Sequence, residues 1–193
     1  MTAAGPAGVV LAGGRSRRMG RDKARIRLGG ETLVEGAVRR LAAVCPQVVI
    51  ADGGRGLLAA YASVDDGPGR GPAAGILGAA RRCPGRDLLV LACDLPAVPV
   101  ALLRRLAGQA DGDLLLPRHG AVVEPLCARY GPAALAALAA RVDRGDLALH
   151  RLLDEPGLRI RFVEGPELAA FGDPERLFHN LNAPADLRAV RPG

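Results

Sequence analysis

Tryptophan is absent from the 193-residue chain, and three Phe and two Tyr make aromatics only 3% of it. Platforms for single-stranded nucleic acid stack bases on exposed rings, so that class is disfavoured and no nucleic-acid partner is expected. The core has to be built from Ala, Val, Leu and Ile. Lysine occurs once, at Lys23, and every other basic residue is Arg. Cys45, Cys83, Cys93 and Cys127 lack any Cys-x-x-Cys spacing, which argues against a zinc site or a disulfide framework. They read as buried free thiols in a reducing compartment. No apolar run approaches the ~20 residues of a membrane span. The first residues lack the basic segment and apolar core of a secretory leader. A cytoplasmic protein with no membrane partner is expected.

Apolar residues make up 49% of the chain, too many for a disordered polymer. The length suits a single domain over residues 1–193, with frayed ends at 1–7 and 190–193. The net charge of +6 is unevenly placed. Residues 15–27 hold seven basic residues (Arg15, Arg17, Arg18, Arg21, Lys23, Arg25 and Arg27) against one acid, Asp22, and the rest of the chain is neutral. A protein that coats nucleic acid spreads charge over a face. One local cluster suits a small anion better.

The chain alternates apolar runs with helical periodicity. Residues 8–12, 47–51 and 87–92 read as buried strands, and 31–43, 73–82 and 99–108 as helices, with a short helix over 55–62. Continuous apolar strands separated by helices mark a parallel sheet covered on both faces. The second half is less regular. Residues 113–116, 122–130 and 158–163 read as strands, one of them antiparallel, and 132–141 and 147–154 as helices. A short strand over 177–181 precedes a last helix over 184–190. The expected fold class is a three-layer α/β/α, Rossmann-like arrangement, mostly parallel, with an antiparallel excursion in the second half.

The first strand runs into Leu11-Ala12-Gly13-Gly14-Arg15-Ser16-Arg17-Arg18-Met19-Gly20-Arg21-Asp22-Lys23. Ligands of parallel sheets bind beyond the C-terminal ends of the strands. Gly13 and Gly14 let backbone approach a ligand closely, and Arg18 and Lys23 offer charge to phosphate oxygens. Glycines at 13, 14 and 20 do not have dinucleotide-fingerprint spacing, and Gly20 is followed by Arg21 rather than by the lysine of a P-loop.

The string resembles the Leu-Ala-Gly-Gly-x-Ser-x-Arg-Met-Gly-x-Asp-Lys signature of the MobA-like nucleotidyltransferases at every fixed position. It is most similar to the members that guanylylate the molybdenum cofactor. The resemblance continues in Asp66 before Gly71-Pro72-Ala73-Ala74-Gly75, in Cys93-Asp94-Leu95-Pro96, in Glu124-Pro125-Leu126-Cys127-Ala128-Arg129-Tyr130 and in Asn180-Leu181-Asn182-Ala183-Pro184.

The resemblance implies Mg²⁺-dependent transfer of GMP from GTP to the terminal phosphate of molybdopterin. The products are pyrophosphate and molybdopterin guanine dinucleotide. It also implies transient contact with the proteins that insert or accept the cofactor. By the same resemblance, Leu11, Ala12, Gly13, Gly71 and Gly75 surround the nucleotide, Lys23 and Asp66 contact it, and Arg18 and Lys23 serve catalysis. Asp94 holds Mg²⁺, and Asn180 and Asn182 face the acceptor.

The resemblance leaves several alternatives open. A sister enzyme using CTP or another phosphorylated acceptor shares the opening signature, and Glu124-Pro125 departs from the family's usual pair near the acceptor. Ala51 and Asp52 stand where relatives often carry an asparagine for the nucleotide. An anionic acceptor requires no general base, so His119, His150 and His179 read as surface or packing residues. A nucleotide-binding regulatory module without catalysis is opposed by the intact Lys23 and Asp94.

Overall fold

In a computed structural model of the chain, the structure describes residues 5–13, 22–65, 71–108 and 111–181. In chain order the described strands are β1 (Ala7–Leu11), β2 (Arg27–Leu28), β3 (Glu31–Thr32), β4 (Gln47–Ala51), β5 (Ala62–Val64), β6 (Leu88–Ala92), β7 (Leu114–His119), β8 (Val122–Val123), β9 (Cys127–Tyr130) and β10 (Ile160–Glu164). The α-helices are α1 (Leu33–Ala42), α2 (Gly71–Arg82), α3 (Val100–Gly108), α4 (Pro132–Asp143), α5 (Gly165–Ala169) and α6 (Pro174–Leu177). Among the described residues the main sheet runs β10-β7-β9-β6-β1-β4-β5, with β8 paired to β7.

β6, β1, β4 and β5 are mutually parallel, and β10 is parallel to β7. The antiparallel excursion is β9, between β6 and β7, with the two-residue β8 beside it. All five residues of β1 and of β6 are buried, so neither strand shows polar alternation. From β1 the chain moves to β4 and β5, then returns across β1 to β6. Right-handed crossovers in opposite directions put their helices on opposite faces. Accordingly α1 packs with α3, and α2 packs with α4. The reversal also creates a switch point at the C-terminal ends of β1 and β6, where open α/β sheets bind ligands.

Local sequence accounts for most element boundaries. Thr32 caps α1, its hydroxyl accepting from the Glu35 amide while the Glu35 carboxylate accepts from the Thr32 amide at 2.6 Å. That reciprocal pair satisfies two otherwise orphaned donors. All four cysteines are buried and free. Burial pushes the Cys45, Cys93 and Cys127 thiols up to about 12, so they are inert packing groups at neutral pH.

Four expectations are corrected. Residues 55–62 form no helix. Gly53, Gly54 and Gly56 have φ of 70°, 75° and 59°, left-handed values that right-handed helix excludes. The chain instead loops into β5. The β2–β3 hairpin was not foreseen, although Gly29-Gly30, at φ 60° and 93°, is the residue pair that a type I′ turn requires. Residues 177–181 form no strand: Asp173 caps α6 with Pro174 at its first position, after which the chain is irregular. Ala7, expected to fray, is fully buried in β1. The final helix expected at 184–190 lies outside the described residues. No helix among the described residues is long and apolar enough to cross a membrane.

Candidate functional site

The site forms where β1 and β6 end side by side. Leu11 pairs with Ala51 of β4 and Ala92 of β6. Its carbonyl accepts from the Cys93 amide at 3.0 Å, and the Ala12 amide donates to the Ala51 carbonyl at 3.0 Å. The sheet ladder thus continues one residue past each strand before the chains diverge. Leu11 and Ala12 are buried, while Gly13 is exposed at the mouth.

At the end of the signature, Asp22 opens a 3₁₀ turn, Lys23–Arg25, by accepting from the Ala24 amide at 3.2 Å. The turn aims Lys23 across the switch point. Its Nζ lies 3.7 Å from Asp94 Oδ2, and both side chains keep about a quarter of their surface in water. Burial pushes the Asp94 carboxyl above the usual carboxylate range, and Lys23 offsets only part of that rise. Asp94 is therefore a desolvated anion that a further cation would stabilise.

Three supports were not legible in the sequence. Arg55 ties the end of β1 to the Lys23 turn. Its Nη1 donates to Asp22 Oδ2 at 2.5 Å, its Nε to the Asp52 carbonyl at 2.6 Å and its Nη2 to the Ala12 carbonyl. Asp52, 1% exposed, shapes the loop that presents Arg55. Its carboxylate accepts from the Leu57 amide at 2.9 Å and from the Ser63 hydroxyl. Arg40 braces the segment after Asp94 from below. It is 6% exposed, and its Nη1 donates to the carbonyls of Leu95 at 2.8 Å and Val98 at 3.0 Å. Each of these arginines reads in the sequence as one of 26 basic residues, and no local pattern singles it out.

Asn180 and Leu181, the described part of the C-terminal motif, join the same place. The Leu181 amide donates to the Asp94 carbonyl at 3.1 Å, and Leu181 is buried. This brings Asn180, itself exposed, beside the Asp94 turn. Gly71, at φ 62°, opens α2 beyond β5, and Gly75 is buried in the first turns of that helix. Arg18, Asp66 and Asn182 lie outside the described residues.

A divalent cation of the Mg²⁺ type fits this arrangement. Asp94 supplies a hard oxygen at an open strand end. Among the described residues there is no group of three His, Cys, Asp or Glu side chains that could cage a metal. Mg²⁺ suits such a site, because it commonly takes one or two carboxylates and completes its shell with phosphate oxygens and water.

Comparison with known proteins accords with this geometry. Residues 8–160 match the MobA-like NTP transferase domain. A probable molybdenum cofactor guanylyltransferase of Pelotomaculum thermopropionicum is 37% identical over 195 residues, covering 95% of this chain and 91% of the relative. A molybdenum cofactor guanylyltransferase of Cereibacter sphaeroides is 37% identical over 191 residues, covering 93% and 92%. The crystal structure of molybdopterin-guanine dinucleotide biosynthesis protein A from Archaeoglobus fulgidus is similar over 95% of both chains, with a TM-score of 0.79 at 28% identity. The 2-C-methyl-D-erythritol 4-phosphate cytidylyltransferase of Thermus thermophilus shares the fold over 94% of this chain and 95% of its own, with a TM-score of 0.68 at 18% identity.

Proposed function

The chain belongs to the MobA-like NTP transferase family and is a nucleotidyltransferase, and from that premise we propose that it transfers GMP from GTP to the terminal phosphate of molybdopterin. An acceptor phosphate oxygen bonds to the α-phosphorus, the bond to the bridging oxygen of the β-phosphate breaks, and pyrophosphate leaves. Molybdopterin guanine dinucleotide is the product. The reading is carried by the pairing of the sole lysine with Asp94 at the switch point, 3.7 Å apart, in a chain similar along most of its length to guanylyltransferases.

The residues divide the work. The anionic acceptor and the triphosphate repel each other, so fixed positive charge has to screen them and stabilise the charge that leaves. Lys23 supplies it, joined by Arg18 from the signature. Asp94 would hold Mg²⁺, which when bound neutralises phosphate charge. Leu11, Ala12 and Gly13, together with the start of α2 at Gly71 and Gly75, border the nucleotide, and Asp66 contacts it. The Leu11 and Ala12 carbonyls already accept from Cys93 and Arg55, so a nucleotide takes their second lone pairs. Asn180 and Asn182 serve the acceptor phosphate. No side chain has to remove a proton from an acceptor that is already an anion.

The test is pyrophosphate release by the purified protein with GTP, molybdopterin and Mg²⁺, beside thermal shifts with GTP, CTP, ATP and UTP. A ligand stabilises the fold that binds it by mass action. GTP should give the largest shift, and release should require both Mg²⁺ and molybdopterin. A larger shift and faster turnover with CTP would overturn the guanylyl assignment. Undiminished release by Asp94→Ala would remove the metal role, and unchanged GTP kinetics in Lys23→Ala would remove Lys23 from the site.

A further inference from the structure

Where β7 ends and the chain returns into β9, on the other side of β6 from β1, lies a polar and aromatic cluster that the reaction above does not use. His119 ends β7 and Glu124 lies just before β9. His119 Nε2 and Glu124 Oε1 are 3.0 Å apart. The His119 ring stacks on Phe178, with centroids 5.6 Å apart and planes 13° from parallel. Both polar side chains reach water, His119 with 24% and Glu124 with 15% of its surface.

The cluster is tied to the site through backbone at two points. Leu126 accepts from the Ala92 amide at 2.8 Å, and Leu181, three residues beyond Phe178, donates to Asp94 at 3.1 Å. The turn that presents Glu124 is held at each end. The Glu124 amide donates to Pro117 at 3.0 Å, the Cys127 amide donates to Glu124 at 3.0 Å, and the Tyr130 hydroxyl donates to Pro125 at 2.8 Å. Such a frame fixes a side chain in place before a ligand arrives.

We propose that Glu124 and His119, with the buried Phe178 stacked behind the imidazole, form the surface that recognises the ring of the acceptor, a flat nitrogen heterocycle bearing adjacent N–H donors. The proposal rests on the guanylyl-transfer reading. The Glu124 carboxylate accepts only, so it selects donors, and its Oε2 remains for the ring after His119 takes Oε1. Burial pushes this carboxyl above its usual range, with His119 offsetting part of the rise. Ring N–H donors relieve that cost. The exposed part of His119 extends the stack that Phe178 begins, and aromatic rings prefer such offset layers.

A pterin and a guanine share this donor edge, and position decides between them. Leu11, Ala12 and Gly13 stand at the end of β1 beside β4, whereas this cluster stands where β7 ends and β9 begins. The ring it meets is therefore the acceptor's.

The experiment compares wild type with Glu124→Gln and His119→Gln in steady-state guanylylation of molybdopterin. Both variants should raise KM for molybdopterin at least tenfold. Each should leave the GTP-induced thermal shift unchanged, which also reports an intact fold. An unchanged KM for molybdopterin would overturn the proposal while leaving guanylyl transfer standing. A rise confined to the KM for GTP would overturn it too, by assigning the surface to the nucleotide base. A wild-type protein inactive on molybdopterin with GTP would remove the guanylyl-transfer reading, and this proposal with it.

Discussion

Arg55 and Asp22 meet across 2.5 Å, Nη1 on Oδ2, and the same guanidinium reaches the Ala12 carbonyl. One side chain therefore ties the end of β1 to the residue that starts the Lys23 turn. A planar fork of five donors can do this, and an ammonium cannot. Arg55→Ala should raise KM for the nucleotide about tenfold, a loss of roughly 1.4 kcal/mol, with kcat at saturating nucleotide little changed. Arg55→Lys should restore little. Steady-state kinetics with varied GTP at fixed acceptor check this, and an unaltered KM would assign Arg55 to loop structure alone.

Asp94 should trade stability for activity. Burial raises its carboxyl more than Lys23 lowers it, so the folded state holds the proton more tightly than the unfolded chain does. The ionised form thus costs stability at neutral pH, and the cost disappears as pH falls below the ordinary carboxylate range, where both states are protonated. Asp94→Asn should abolish pyrophosphate release and raise the melting temperature at pH 7. The gain over wild type should shrink on acidification. Melting curves from pH 7 to pH 3 would expose the opposite trend.

Arg40 is a buried cation held by carbonyls. Burial pulls its guanidinium down to about 10, so it stays charged at neutral pH. Arg40→Met removes a desolvated charge but strands the Leu95 and Val98 carbonyls, each at roughly 1–3 kcal/mol if left unsatisfied. A net loss of about 2–4 kcal/mol in urea unfolding is expected. Because those carbonyls belong to the turn after Asp94, kcat should fall as well. Full activity in a destabilised Arg40→Met would separate the brace from the site.

The α1 cap should affect stability alone. Thr32→Ala removes the hydroxyl that accepts from the Glu35 amide, which should cost about 1 kcal/mol and leave KM and kcat unchanged. The Thr32 amide and hydroxyl hold the Glu35 carboxyl below its usual range. That contribution is present above the ordinary carboxylate range and is lost as pH falls through the lowered value. Acid titration of Glu35→Gln against wild type should show the difference vanish at low pH.

Periodicity and punctuation made much of this legible. The runs that became β1, β4 and β6 are apolar, apart from Gln47 at the start of β4, because strands buried on both faces admit little else. The signature from Leu11 to Lys23 and the Cys93-Asp94-Leu95-Pro96 turn are contiguous, so their chemistry is visible in one dimension. Short elements were missed or misread where a few residues decide them. Left-handed Gly56, following left-handed Gly53 and Gly54, replaced an expected helix with the loop that carries Arg55, and a Gly-Gly turn made a hairpin of two-residue strands.

By itself, the sequence determined the fold class and the placement of the whole net charge in one stretch, and it singled out a lone lysine and a strand-end aspartate. Those properties depend on local order along the chain. Only the tertiary structure decided what surrounds them. Arg55 reaches back to Asp22 and Ala12, Arg40 rises from α1 to the turn after Asp94, and Leu181 returns to the Asp94 carbonyl. It also gathered His119, Glu124 and Phe178 where β7 ends and β9 begins. These contacts join residues far apart in sequence, set by strand order and the direction of the crossovers, which no local pattern records.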